Sequence, residues 1–336
     1  MMKDSDTFHK LDSHDRRLVA ALQINPRAGA GVIGRVLKEH ERTVARRIHR
    51  LIAQGAIQPT AVYDTMRCGL GNAVQLRLEV EGGALERVAR ALVGRDDIRR
   101  LVAVSGRSNV LWCELIVPSR PGLHALIAEG IEGVPHIREF EAHTTLRTFA
   151  TPADWQVPEL TGPEREQLHE GRVQPVERPA DRYELSPVDR RVAQALIENA
   201  RVSLTEISRN LGFSVATAGR RVTALLERRM LYLRTEVEPA LLGRPVEAQM
   251  CLKIPPAGLE AGGCALAAYP EVRYCAAITG TYNLILEVCL GHEGDLYRFL
   301  SERLGGIPRI GEAAVEIITH AYKRGFVIKP QRPRER

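Results

Sequence analysis

Two clusters of guanidinium and hydroxyl groups carry the clearest chemistry in this sequence. Arg42, Thr43, Arg46, Arg47 and Arg50 form one, with His49 among them; Ser214, Thr217, Arg220 and Arg221 form the other, followed by Arg228 and Arg229. On a helix, positions three and four apart lie on one face, so each cluster would offer its cations to a single surface. Such groups hold phosphate oxygens and take guanine O6 and N7 in bidentate pairs, each good base contact giving about 1 to 3 kcal/mol of discrimination. The same spacing describes an ordinary solvated helical face, and in an isolated helix that reading prevails. The surrounding elements have to decide.

Other chemistry is thin. His136, His143 and His320 lack metal-like spacing, and neither a Ser/His/Asp arrangement nor a phosphate-binding glycine loop is present. The cysteines Cys68, Cys113, Cys251, Cys264, Cys275 and Cys289 include no C-x-x-C pair, which argues against a zinc site or a disulfide framework and for a reducing cytosol. No catalytic residue, metal ligand or cofactor is therefore assigned, and the expectation is a protein that is not an enzyme. No apolar run approaches the roughly 20 residues of a membrane span, and Met1 to Lys10 lacks a signal-peptide core, so a soluble cytoplasmic protein is expected.

The elements that position the second cluster are well marked. Ser186 is a strong N-cap, Pro187 fits the first helical position, and Asp189 completes a capping box ahead of Val192, Leu196 and Ile197. A second helix opens at Ser203 with Glu206 three residues on and closes at Leu211–Gly212; Ser214 then caps a third helix carrying the cluster. Three helices with a Gly-containing turn before the last make a helix-turn-helix, and inside that motif the nucleic-acid reading of the arginines displaces the solvated one.

The first cluster stands in the same frame because the chain repeats itself. Leu11-Asp12-Ser13-His14-Asp15-Arg16-Arg17 returns at Leu185-Ser186-Pro187-Val188-Asp189-Arg190-Arg191, an offset of about 174 residues. Leu22, Asn25, Arg27, Ile33, Leu37, Thr43, Arg46, Arg47 and Leu51 reappear at the same offset, and so do Gly106 and Asn109 as Gly280 and Asn283. At 336 residues and 44% apolar composition the chain can bury several cores, and a net charge of +6 permits nucleic-acid binding without demanding it. Only six of the cations are lysines, a bias that also suits bidentate phosphate and guanine contacts but for which codon usage in a GC-rich genome is the safer explanation.

After each helical part the pattern changes. Ala73–Val80 alternates, Ala84–Val93 is helical, Ile98–Ser105 and Val110–Val117 are strand-like, Gly122–Ile131 is helical, and Ile137–Phe149 alternates again. The same order runs from Val246 to Tyr322, giving βαββαβ twice, the ferredoxin-like order. Between the halves, Pro152, Pro158, Pro163, Pro175 and Pro179 in a charged context predict an extended, semi-rigid linker.

The series L-D-x-x-D-R-R, N-x-R and R-R, followed by a ferredoxin-like domain with G-x-x-N between its middle strands, resembles the leucine-responsive regulatory protein and asparagine-synthesis regulator (Lrp/AsnC) family. The expected fold class is α+β, with two winged-helix-like helix-turn-helix domains and two ferredoxin-like βαββαβ domains in tandem. The expected domains are 1–62 and 185–240 for DNA, 70–150 and 244–328 for dimerisation and effector binding, and the linker 151–184. The resemblance implies a transcription regulator that binds double-stranded DNA and an amino acid or other small molecule. A fused chain would act as a pseudo-dimer on an imperfect palindrome, without a membrane, and assemble into homo-oligomers. It also implies that Gly106, Arg107, Ser108, Asn109, Gly280, Thr281, Tyr282 and Asn283 border effector pockets, where a bare hairpin reading sees residues tolerant of unusual backbone angles.

The copies depart from the family pattern unequally. Leu211–Ser214 keeps the family's turn, whereas the first copy reads Leu37-Lys38-Glu39-His40 and has Gly29 and Val32 in place of Ser203 and Glu206. Each lost cap costs about 1 kcal/mol, so the first motif should be softer or held by tertiary contacts. Both G-x-x-N turns lack the family's acidic residue. Two alternatives follow: an effector sensor with vestigial DNA heads, and an enzyme like the sirohaem decarboxylases, which resemble the same family. The second predicts histidines before the third strand, and Ser105–Leu111 and Ala276–Ile285 contain none.

Overall fold

The structure, a computed structural model, describes residues 11–106, 109–131, 134–170, 172–173, 183–307 and 310–329. The first repeat runs α1 (Ser13–Ile24), α2 (Ala30–Leu37), α3 (Glu41–Ala53), β1 (Ile57–Tyr63), β2 (Asn72–Val80), α4 (Leu85–Val93), β3 (Ile98–Val104), β4 (Val110–Val117), α5 (Arg120–Ala125) and β5 (Ile137–Ala150). After α6 (Gly162–Glu170) the second repeat follows as α7 (Pro187–Glu198), α8 (Leu204–Leu211), α9 (Val215–Glu227), β6 (Leu231–Val237), β7 (Val246–Lys253), α10 (Leu259–Ala267), β8 (Val272–Ile278), β9 (Leu284–Leu290), α11 (Glu293–Arg298) and β10 (Glu312–Arg324).

The repeats do not fold one after the other. Two compact units form, and each pairs like with like: the described residues up to Gly69 join Pro152–Pro245, while Leu70–Thr151 joins the described residues from Val246 onward.

In the first unit both helix-turn-helix motifs share one antiparallel ribbon. β1 pairs with β6 from Ile57 opposite Val237 to Tyr63 opposite Leu231, which puts Thr60 and Arg234 face to face at the pseudo-two-fold centre. The apolar stripe of α1, spaced at helical period, is fully buried at Leu18, Leu22 and Ile24 with Ile33, Leu51 and Ile57; Val192, Leu196 and Ile207 do the same in the second motif. Each such side chain contributes about 1.5 to 3 kcal/mol on leaving water.

The repeated N-x-R has a specific task in this unit. Asn25 Oδ1 accepts from the Arg27 amide at 3.2 Å, and Asn199 Oδ1 from the Arg201 amide at 2.9 Å, so each asparagine closes the turn after α1 or α7. The turned arginine then reaches into the other repeat. Arg27 donates to the carbonyls of Ala200 and Val202, and Arg201 to those of Pro26 and Ala28. Thr60 Oγ1 donating to Ile197 O and Thr235 Oγ1 donating to Leu22 O add two more crossings.

The expected linker 151–184 does not run extended through its first half. Trp155, Val157, Leu160 and Leu168 are buried, and α6 packs on α1 and α2. Glu164 caps α6 through Thr161 and pairs with Arg17 at 2.5 Å; Asn25 Nδ2 donates to Leu168 O at 3.2 Å. Proline and charge content averaged over 34 residues hides four apolar side chains, three in the chain leading to α6 and Leu168 on the helix itself. Residues 174–182 of that span lie outside the described residues.

The second unit is a closed ladder. Neighbours run β10-β3-β4-β2-β5-β8-β9-β7, and β7 pairs back with β10. Two long strands make the closure: β5 pairs with β2 up to Thr144 and with β8 from Thr145, while β10 pairs with β7 up to Ile317 and with β3 from Ile318. Each ferredoxin-like sheet therefore lends its last strand to the other. Inside lie Val102, Val110, Trp112, Ala276 and Ile285 from both repeats, and each repeat keeps its own helix-covered core around Leu76 and Leu101 or around Met250 and Leu286.

Candidate nucleic-acid interface and effector turns

The second reading head is built as its sequence demands. Ser186 Oγ accepts from the Asp189 amide, Ser203 Oγ from the Glu206 amide at 3.1 Å, and Ser214 Oγ from the Thr217 amide at 3.2 Å. Gly212 ends α8 in the left-handed region at φ 76°. Ser208 Oγ donates to Phe213 O at 2.5 Å, pinning the turn.

The first head reaches the same shape by other contacts. Gly29 offers α2 no side-chain cap, and Lys38 adopts φ 58° where the second head has glycine. In place of Ser208 stands Gly34, and a Cβ there would lie 2.6 Å from Glu39 O, so only glycine admits the closer turn. Glu39 takes His14 Nδ1 at 2.7 Å, and His40 Nδ1 accepts from the Arg42 amide at 3.2 Å to cap α3. Together with α6, these contacts stand in for the lost caps.

The arginine clusters divide in two. Arg47 bonds Asp15 at 2.7 Å and Asp12 at 3.1 Å, Arg50 pairs with Asp15, and Arg221 bonds Asp189 at 2.7 Å. These arginines tie the third helix to the first, which explains why the motif L-D-x-x-D and the later R-R occur together. The ion pairs leave their mark on titration: the Asp15 carboxylate holds the Arg47 guanidinium above its usual range. Burial works to raise Asp189, but the Ser186 hydroxyl and Arg221 bring it below the ordinary carboxylate value. Arg42, Arg46, Ser214 and Arg220 are exposed, with Thr43 and Thr217 half-buried beside them. These six lie at or near the surface of the two heads, whereas Arg47, Arg50 and Arg221 are held by carboxylates of the first helix of each head, Arg50 while still exposed.

The two G-x-x-N turns are not alike. Gly106 and Asn109 take φ 125° and 70°, and the Asn109 carbonyl accepts from the Val80 amide at 2.9 Å. Arg107 and Ser108 lie outside the described residues. Glu316 of the second repeat stands beside Gly106, held by Trp112 Nε1 at 2.7 Å and 3.6 Å from Arg77. β10 thus brings a carboxylate beside a turn that carries none of its own among its described residues. At the other turn Gly280 has φ 116°, Thr281 is exposed and Tyr282 half-buried; Asn283 brackets Ile254 through both its amide atoms, at 2.9 and 2.7 Å. His143 stands there instead of a carboxylate, its Nδ1 2.9 Å from Thr279 O. Glu316 and His143 carry no motif of their own, and only strand pairing between repeats brings them to the turns.

Among the described residues, Glu247, Glu287 and Cys289 could in principle converge on a metal ion. Arg324 pairs with Glu247 at 2.7 Å, and Arg100 and Arg273 pair with Glu287 at 2.7 and 3.0 Å, so the carboxylates are already neutralised. Burial pushes the Cys289 thiol up, away from the thiolate a metal needs.

Residues 11–52 and 185–226 match the AsnC-type helix-turn-helix domain, and residues 250–328 match the Lrp/AsnC ligand binding domain. The chain belongs to the Lrp/AsnC family. An HTH-type transcriptional regulator of Methanocaldococcus jannaschii is 28% identical over 142 residues, 42% of this chain and 96% of its own length. The proline dehydrogenase transcriptional activator of Rhodobacter capsulatus is 24% identical over 41% of this chain and 92% of its own. Each relative is therefore about as long as one repeat, and this Lrp/AsnC chain holds that length twice. Over nearly the full chain its fold is similar to the crystal structure of the siroheme decarboxylase NirDL, with a TM-score of 0.60 and 17% identity, covering 93% of this chain and 92% of that one.

Proposed function

We propose that this Lrp/AsnC chain is a non-enzymatic, cytoplasmic transcription regulator that binds double-stranded DNA as a single-chain pseudo-dimer, with chains assembling further into homo-oligomers. The observation that carries the reading is the reciprocal Arg27 and Arg201 contact, which together with the β1–β6 ribbon sets two helix-turn-helix motifs in one rigid frame. A fixed pair of heads suits half-sites about one helical turn apart. Arg42, Thr43 and Arg46 offer mainly cations, whereas Ser214, Thr217 and Arg220 combine hydroxyls with one guanidinium, so the preferred site is an imperfect palindrome. In this reading segments 1–62 and 185–240 serve DNA. Segments 70–150 and 244–328 pair and take an amino acid or other small molecule at Gly106–Asn109 and Gly280–Asn283, with 151–184 joining the halves.

Selection of bound genomic fragments followed by footprinting tests this. Two unequal half-sites are expected, and a strictly symmetric site with equal contributions from both heads would overturn it. The fold shared with NirDL gives a second reading its test: sirohaem added to the purified chain is expected to leave the Soret band unshifted, and a stoichiometric shift would favour the decarboxylase alternative.

A further inference from the structure

The second head contains a pocket of about 330 Å³ that the first does not reproduce in its sequence. Its walls are α9 and the chain entering α7; Ala224, Leu225 and Met230 make its apolar part, and Arg220 and Arg228 its cationic rim. Ala224 opens the space. With the 174-residue offset its counterpart is Arg50, which folds back onto Asp15, and the counterpart of Arg228 is Gln54. An arginine shrunk to alanine at one position and a cation gained at the next turn are opposite changes from the first head, and together they make a cavity with a charged mouth.

One of the two carboxylates that line the pocket is already engaged. Asp189 also faces the pocket, but Arg221 takes its carboxylate at 2.7 Å. Among the described residues Arg220 bonds only the neutral Thr217 hydroxyl, at 3.3 Å, and Arg228 lies over the Tyr183 ring at 5.3 Å. Glu184 is exposed at the edge. The Tyr183 amide donates to Arg67 O at 2.8 Å, which holds the backbone that presents this ring. The volume lies at the small end of the range for ligand pockets, roughly 300 to 1,000 Å³.

We propose that the second reading head carries a small-molecule site of its own, for an organic anion whose carboxylate meets Arg220 and Arg228 and whose compact apolar body fills the space beside Ala224. Its occupant shares Thr217 and Arg220 with the surface offered to DNA, so ligand and DNA compete. Binding itself needs no DNA, which keeps failure of this site distinct from failure of the regulator reading.

Calorimetry on the full chain without DNA tests it, using acetate, phenylacetate and indole-3-acetate as a size series and inorganic phosphate as a separate arm. Saturable binding of at least one aryl acetate, tighter than acetate, is expected. Arg228→Gln removes a charge-assisted contact and should weaken it about tenfold or more. Ala224→Leu, which fills the space without changing charge, should do the same while circular dichroism stays unchanged. No saturable aryl acetate binding, binding that both folded variants retain, or phosphate binding as tightly as the aryl acetates would each overturn the proposal.

Discussion

Arg27 and Arg201 each satisfy backbone carbonyls of the opposite repeat: Arg201 Nη1 donates to Pro26 O at 2.7 Å and Arg27 Nη1 to Ala200 O at 2.5 Å. Burial lowers the pKa of both guanidiniums, which are charged nevertheless and so make strong bonds. Hydrogen bonds to charged groups contribute about 1.5 to 3 kcal/mol each. Arg201→Met is therefore expected to lower stability by about 2 to 4 kcal/mol, measured by urea unfolding. DNA affinity should fall by more than instability alone explains, because the heads lose their set spacing.

Acid should loosen the link between first and third helices. Asp12, held below the ordinary 3.8 by the Asp15 amide, and Asp189, held below it by Ser186 and Arg221 against the effect of burial, both have depressed folded-state pKa values. A depressed carboxylate contributes stability that is full above the unfolded pKa and lost as pH falls through the folded one. Stability should thus decline below about pH 4, and Asp189→Asn should flatten that decline while lowering stability at neutral pH. An unchanged acid limb in the variant would contradict the assignment.

The heads should differ in what they read. Arg220→Ala is expected to cost about 1 to 3 kcal/mol on the preferred site and to relax preference at one base position. Arg42→Ala and Arg46→Ala should weaken binding evenly across sequences and reduce the salt dependence by about one charge each. Competition binding on a base-substituted site series distinguishes the two outcomes.

Leu168 is fully buried where α6 meets the first head. Leu168→Ala is expected to cost about 2 to 5 kcal/mol. Hydrogen exchange should quicken in α1 and α2 and leave α7–α9 unchanged, since α6 packs on the first head.

Gly280→Ala should be worse than Gly106→Ala. Both glycines have φ near 120°, which strains any side chain, but a Cβ at Gly280 would lie 2.5 Å from His143 Nδ1 and one at Gly106 would find Glu316 at 3.6 Å. Thermal midpoints of the two variants check the order.

The sequence by itself determined what depends on local spacing. Capping pairs such as Ser203 and Glu206, the glycine at 212, the alternation of Ala73–Val80 and the 174-residue echo are all read within one or two turns of chain, because helix and strand periods are properties of neighbours. The helix-turn-helix and βαββαβ order of the α+β fold followed from them. The tertiary structure alone decided which arginines are free. Arg42 and Arg47 look equivalent in the sequence, and only the placing of Asp15, 32 residues earlier, ties one down and leaves the other exposed. It also decided that like parts of the two repeats pair, that Glu316 stands beside Gly106, and that Leu168 is buried where α6 meets the first head. The cost of closing a chain loop grows only slowly with its length, so distance along the sequence says little about which distant partner wins, and complementary surfaces settle it.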